Sequence, residues 1–399
     1  MTNQIAPNKA QQGTQHYRRI QWGIILTGVS IFAQLYFFQP LLPALGRAFS
    51  VSPAISSLAI SGGTAGMAAG LFAFAFWADR WPRKKLMSAC MFGTALFTIV
   101  SAGSPNFAAL VIVNFIKGMT IAGISAVALA YLAEEVDSNA LGFIISIYLS
   151  GNIVGGMSGR VGVGFLNGWL GWRYTTFIVG IIGIVLAVAF LWTLPKSEYF
   201  QSQKIQVGYK FRQMQLFLRR PILLAMFLIV ALLMGVFVST YNYLNFRLEG
   251  PPFSMPHYII ALVYVMYIAG IGGSMAAGRW SDLYTPATTL KALIMTVIVG
   301  LLMLLSTNIW VFVAGLGVLT FGFFGAHTTA SRIVSVSVRS GKSTATSLYW
   351  LFYYVGSSII GTVSGVFLSA WSWNGFIIGL LILGLFCLLI LVIVHKRYS

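Results

Sequence analysis

The chain has 399 residues, of which 58% are hydrophobic and 8% charged, with 30 Phe, 17 Tyr and 11 Trp and a mean hydropathy of +0.85. Soluble domains carry about a quarter charged residues, so this composition excludes an ordinary soluble enzyme, and its apolar excess excludes a disordered chain. The formal charge of +18 comes from short Lys/Arg groups between apolar runs, with no basic face, so the sequence predicts an integral membrane protein without a nucleic-acid partner.

In chain order, runs of about 20 apolar residues, the length needed to cross ~30 Å of hydrocarbon, fall near 20–45, 54–77, 85–103, 107–132, 140–166, 172–194, 221–246, 257–279, 287–306, 309–330, 344–370 and 375–394. The first follows His16-Tyr17-Arg18-Arg19 and lacks a small-residue cleavage site, so it is expected to be a retained span and not a signal peptide. The predicted organisation is a tail at 1–19, a six-helix bundle at 20–194, a polar basic linker at 195–220, a second six-helix bundle at 221–394 and a tail at 395–399. An all-α membrane protein of twelve transmembrane helices follows. Cys90 and Cys387 lie in apolar runs near opposite ends, and neither a metal cluster nor a cofactor is expected.

Placing the N-terminus in the cytoplasm puts 20 of the 25 Lys and Arg residues on that side and leaves only Arg47, Arg173 and Arg247 at the opposite ends. The positive-inside rule therefore selects a multi-pass protein with both termini and the linker cytoplasmic. Lys117 and Arg160 remain inside predicted spans. The halves also repeat: Ser146-Ile-Tyr148 with Val154-Gly155 recurs at an offset of 201 as Ser347-Leu-Tyr349 with Val355-Gly356, Val111-Ile-Val113 recurs at 200, and Ala75-x-x-x-Asp79 recurs at 203 as Gly278-x-x-x-Asp282. Duplicated halves are the architecture of many secondary transporters.

Ala75-Phe-Trp-Ala-Asp79-Arg80-Trp-Pro-Arg83-Lys84-Lys85 resembles the signature loop of the major facilitator superfamily, Gly-x-x-x-Asp-Arg-x-Gly-Arg-Lys, with Ala75 and Pro82 in place of the glycines. A carboxylate among those cations adds nothing to topology, so Asp79, Arg80 and Arg83 are expected to form a gating lock, with Glu134 or Glu135 as partners, instead of a solvated anchor. The copy ending at Asp282 lacks the basic tail. Gly142, Gly151, Gly155-Gly156 and Gly159-Arg160 resemble the antiporter motif of the superfamily's exporters, although glycines four apart also serve close helix packing. Asn114-Phe-Ile-Lys117-Gly118 resembles the superfamily segment in which Arg stands four residues before Gly; here Asn114 holds that place and Lys117, one turn on, is expected to restore the charge. Tyr131-Leu-Ala-Glu134-Glu135, Ser150-Gly-Asn152 through Arg160, Leu233-Met-Gly through Asn242-Tyr243, Gly325-Ala-His327 and Ser347-Leu-Tyr349 through Gly361 are similar to the YnfM-type exporters of bacterial inner membranes, described as sugar or multidrug exporters. The resemblance implies efflux from the cell across the inner membrane, protons as coupling ion and a monomer, and a cavity lined by the first, fourth, seventh and tenth helices.

Of the seven acidic residues, none stands near the middle of a predicted span, which weighs against cationic substrates. The polar inventory at depth is instead Lys117 near mid-span, Arg160 nearer the outer end, His327, and the neutral groups Gln34, Tyr36, Gln39, Tyr148, Asn152, Tyr241, Asn242, Tyr349 and Tyr353. Lys117, with Asn114 beside it, is expected to meet substrate or carry the coupling proton. His327 is a second coupling candidate, and Arg160 is expected either to gate the outer side or to snorkel to the interface. These features predict a secondary transporter working by alternating access, exporting a small organic solute, anionic or polar neutral; an organic-anion carrier working by symport or exchange is the alternative. No nucleophile, metal cluster or acid/base pair at depth suggests an enzyme, and no output domain suggests a receptor.

Overall fold

A computed structural model describes residues 9–202, 207–338 and 340–398. Lys204 and Arg339, both used in the topological argument, lie outside the described residues. Apart from one bridge pairing Ala10 with Val136, regular structure among the described residues is helical. The helices are α1 (Gln15–Phe49, continued through a 3-10 turn at Gln39–Leu41), α2 (Pro53–Arg80), α3 (Arg83–Ala102), α4 (Phe107–Glu135), α5 (Ser138–Thr193), α6 (Val207–Leu218), α7 (Pro221–Glu249), α8 (His257–Leu283), α9 (Pro286–Met303), α10 (Ile309–Val336) and α11 (Lys342–Tyr398). All but α6 are long and apolar enough to cross a membrane. Several begin on side-chain caps visible in the sequence: Thr14, Asn106, Asp137, Thr285 and Asn308 each accept from a backbone N–H of the first turn.

The 56 residues of α5 would extend about 84 Å if straight, roughly twice the thickness of a whole bilayer. It bends back at Gly171, whose φ of 73° is open to a residue without a Cβ. Gly159 packs on Ala33 and Gly183 on Gln34, so positions equally far on either side of Gly171 return to the same level of α1. α11 bends likewise at Trp371 and Ser372, bringing Phe367 onto Gly379. Ten apolar segments, two of them with two limbs, thus make twelve membrane-length stretches. Spans five and six, and eleven and twelve, are joined by bends of one or two residues instead of the loops the hydropathy pattern suggests.

Helices α1–α5 pack mainly among themselves, and α7–α11 do the same. Glycines at four-residue intervals set the closest approaches. Gly151, Gly155 and Gly159 lie against Ile25, Val29 and Ala33 of α1, and a Cβ at Gly159 would come within 2.7 Å of the Ala33 Cα. In the second group Gly356 sits in the same way on Ala231 of α7. With little hydrophobic drive between helices in lipid, such close backbone contact is what holds a bundle.

The two groups meet chiefly at the end opposite both termini, here the far end. Among the described residues, every direct hydrogen bond from α1–α5 to α7–α11 lies there. Gln39 Nε2 donates to Asn242 Oδ1 (2.8 Å), Asn245 Nδ2 to the Pro40 carbonyl (3.1 Å), Ser358 to the Ser61 carbonyl (3.0 Å) and Thr362 to Ser61 Oγ (2.7 Å), while Arg47 pairs with Glu249 (3.0 Å). At the near end the groups are bridged by α6: Lys210 donates to the Ala75 carbonyl of the first (2.8 Å), and Gln213 accepts from Thr344 of the second (2.6 Å).

Candidate functional site

Two buried cations organise the interior, each 1% exposed and both in the first group of helices. Lys117 lies eleven residues into α4, whose close fit on α2 comes from Gly118 against the backbone of Gly63. Its Nζ is enclosed and has no hydrogen-bond partner. It faces the rings of Phe37 and Phe38, 4.7 and 4.9 Å from their centroids. As an ammonium it gives up several kcal/mol of hydration, and two ring faces return about 1–4 kcal/mol together. The shortfall is what an anionic partner would recover. One turn earlier, Asn114 donates to the Leu110 carbonyl, and its own Oδ1 is enclosed without a partner.

Arg160 is held on several sides. Nε donates to Gln39 Oε1 (2.5 Å), another nitrogen donates to the Gly156 carbonyl, and the guanidinium lies over Tyr36 (4.7 Å) and Tyr267 (4.3 Å). The sequence leaves open an outward-snorkelling Arg160; the structure turns it inward, because Gln39, at the point where α1 breaks into a 3-10 turn, offers an acceptor at depth. Through Gln39 and Asn242 it joins a chain that crosses to the second group, beside which Asn245 donates to the Pro40 carbonyl and accepts from the Tyr264 hydroxyl (2.8 Å).

The second group contributes rings. The Tyr349 hydroxyl lies 2.8 Å from His327 Nδ1 and donates to the His327 carbonyl (2.9 Å). Centroid contacts then run without interruption from His327 to Tyr353 (5.1 Å), Tyr353 to Phe323 (6.4 Å), Phe323 to Phe237 (4.0 Å), Phe237 to Tyr241 (5.0 Å) and Tyr241 to Tyr267 (4.8 Å), where Arg160 is reached. Trp350 joins the start of this lane, 5.0 Å from Tyr353. The Tyr241 hydroxyl is paired with Thr320 (2.8 Å).

The structure thus brings Tyr36, Gln39, Arg160, Tyr241 and Asn242 together around the far-end contact, and His327, Tyr349 and Tyr353 together in the second group. Two expected site residues, Gln34 and Asn152, lie elsewhere. Gln34 accepts from Thr98 (2.9 Å), donates to Ser30 (3.0 Å) and packs on Gly183, inside the first group and away from the second. Asn152 lies against Gly28 of α1, as does the backbone of Tyr148. The far-end pairs Arg47 with Glu249, and Asn245 with Tyr264, are additions that sequence spacing does not reveal.

At the near end Arg83 is 5% exposed and uses its whole donor fork: Nε and Nη2 reach Glu134 (shortest 2.9 Å), Nη2 also reaches Asp79 (3.0 Å), and Nη1 donates to the Ala78 carbonyl (2.9 Å). The Phe200 ring covers the guanidinium at 4.8 Å. Of the two expected acidic partners only Glu134 binds Arg83; Glu135 faces the other way and accepts from the Tyr199 N–H (3.0 Å). Arg80 is exposed and belongs to none of the ion pairs among the described residues. Asp282, at the equivalent place in the second group, pairs with Arg332 in an exposed contact of 2.8 Å.

Twelve apolar stretches, two glycine-packed groups and this near-end triad define a membrane transporter. The chain belongs to the Major Facilitator Superfamily, which it matches over residues 24–361. It is 35% identical over 365 residues to the uncharacterized MFS-type transporter YybF of Bacillus subtilis, with 92% of this chain and 90% of that protein covered. It is 31% identical over 383 residues to the inner membrane transport protein YnfM of Escherichia coli, with 92% and 89% covered. Among solved structures it resembles a bacterial homolog of the human lysosomal transporter Spinster in an inward-facing conformation, with a TM-score of 0.76, 18% identity and 96% of both chains covered. The nucleoside transporter NupG superposes with a TM-score of 0.72 at 14% identity, covering 96% of this chain and 99% of that one. The family and these relatives are transporters, not enzymes.

Proposed function

We propose that this transporter exports a small organic anion by alternating access, with proton antiport as the coupling. The observation that carries the substrate class is Lys117: a buried ammonium with no acid to pair with, beside an unpartnered Asn114 oxygen, in a bundle whose described interior holds no carboxylate at mid-depth. Such a group neutralises its charge by meeting an anion or by giving up its proton, and both uses belong on a translocation path. A thermal-shift screen of purified protein against anionic, neutral and cationic solutes tests it, since a ligand that binds the native state raises the melting temperature. Anions are expected to stabilise; stabilisation by cations alone would overturn the assignment.

With both termini cytoplasmic, the far end is the outer face, and its closure by Gln39 with Asn242 and Arg47 with Glu249 corresponds to the inward-facing state. In sealed right-side-out vesicles, a cysteine placed in the 248–256 turn should label from outside and one at position 212 in α6 should not. The reverse result would invert the topology. The triad of Asp79, Arg83 and Glu134 then lies at the cytoplasmic face within the first group, and its route to the second runs through α6, where Lys210 Nζ stands 3.9 Å from Asp79. We assign this triad to gating, and the chain is expected to act as a monomer.

A further inference from the structure

The duplicated halves have divided two kinds of side chain between them. At the offset of 200 that relates α4 to α10, Lys117 corresponds to Gly317, whereas Gly123 and Val127 correspond to Phe323 and His327. At the offset of 201 that relates α5 to α11, Arg160 corresponds to Gly361, whereas Leu149 and Asn152 correspond to Trp350 and Tyr353. The cations have no counterpart in the second half, and these rings have none in the first.

The structure keeps the two sets adjoining but distinct. The charged set ends at the corner Tyr36-Phe37-Phe38 of α1, where Phe37 and Phe38 face Lys117 and Tyr36 faces Arg160. The ring set begins on the other side of Arg160, at Tyr267, and runs to His327 and Trp350. Packing alone explains neither half of this division. A bundle core is filled as well by Leu or Ile as by a Trp and three Tyr with polar tips, and a lysine is the costliest filler available.

We propose that the transported anion is an aromatic carboxylate, its charged end held in the first half at Lys117 and its ring held in the second half among Phe323, His327, Trp350 and Tyr353. This rests on the anion reading above and narrows it. Ring against ring in offset or edge geometry favours a flat π-system over an aliphatic group of equal size, and the carboxylate supplies the partner that Lys117 Nζ lacks.

Calorimetric titration of the purified full-length protein separates the two ideas, using benzoate and 1-naphthoate against cyclohexanecarboxylate, which keeps the charge and loses the π-system, and benzamide, which keeps the ring and loses the charge. The aromatic acids should bind about fivefold more tightly than cyclohexanecarboxylate, and benzamide should not compete. Tyr353→Leu should erase that preference, and Tyr353→Phe, which keeps ring and fold, should retain it. Lys117→Gln should lose all the acids. Equal binding of cyclohexanecarboxylate and the aromatic acids overturns the aromatic assignment and leaves the anion reading standing. Binding of none of the acids, or binding that survives Lys117→Gln, overturns the anion reading itself.

Discussion

Lys117 and Arg160 are equally buried and lie in the same half, yet the protein treats them differently. Arg160 has an amide oxygen, a backbone carbonyl and two tyrosine faces arranged around it, so its charge is built into the contact between the halves. Lys117 has two phenyl rings and no acceptor. Guanidinium geometry suits the first task, since a planar fork can fix several partners at once, and a compact ammonium with three rotatable donors suits the second, because it can meet a partner that comes and goes. The comparison separates a buried charge whose partners the protein itself supplies from one whose partners it does not.

The largest effect is expected where that distinction is sharpest. Lys117→Gln should reduce transport of organic anions by at least about 100-fold, while folded yield and melting temperature stay level or rise, because a desolvated ion costing several kcal/mol has been removed. Lys117→Arg should keep part of the activity. Normal anion transport by the glutamine variant in proteoliposomes would place Lys117 in the same structural class as Arg160 and end the comparison.

Arg160→Leu should behave in the opposite way. It strands Gln39 Oε1 in a dry interior, at about 1–3 kcal/mol for an orphaned group, so thermal stability should fall and a cysteine at the far end should become more reactive. Anion affinity measured by titration should change by less than about threefold, since the binding charge at Lys117 is intact. A large loss of affinity with unchanged stability would show that Arg160 also meets substrate.

How far these roles were legible in the sequence follows from how local each one is. The twelve apolar stretches, the glycine intervals that seat α5 on α1, and the loop that places Asp79 beside Arg83 are all written in short-range spacing or in a recognisable loop. The bends at Gly171 and Ser372 are not, because hydropathy falls at a loop and at a tight helix reversal alike. Arg160 reads either as an outer gate or as an interfacial residue until Gln39, 121 positions away, is found beside it. The aromatic lane had a signal, in Tyr349, Trp350, Tyr353 and Tyr354 at i, i+1, i+4 and i+5 and in Phe323 with His327 at i+4, but aromatic residues also gather in interfacial belts, and that competing explanation hid Trp350, Phe237 and Tyr267. Contacts between the halves are the least legible of all, since they belong to one conformational state.

A smaller effect is expected at the near end. Asp79→Asn removes one of the two carboxylates on Arg83 and the one nearest Lys210, but Glu134 still holds the guanidinium. Turnover in proteoliposomes should fall several-fold with substrate affinity within about twofold, the signature of a step made easier or harder without a change in the bound ground state. Wild-type turnover would reduce the loop to a topological anchor.

The smallest effect belongs to the far-end pair of Arg47 and Glu249, which offers the gentlest test of whether charge at the contact between halves is structural. Arg47 is 61% exposed and Glu249 17%, so solvent screens the pair, and exposed ion pairs contribute about 0–1 kcal/mol. Glu249→Gln should therefore leave the fold intact and shift the balance between far-end-closed and far-end-open forms by no more than about fivefold. Labelling rates in the 248–256 turn report that balance directly. Because the Debye length drops from about 10 Å at 0.1 M salt to about 3 Å at 1 M, wild type in high salt should label at nearly the rate of the variant, and the variant should be almost insensitive to salt. The Arg160 contacts are buried and should show no such dependence. If salt left wild-type labelling unchanged and the same as that of Glu249→Gln, the exposed pair would be idle, and charge at the contact between the halves would rest on the buried Arg160 alone.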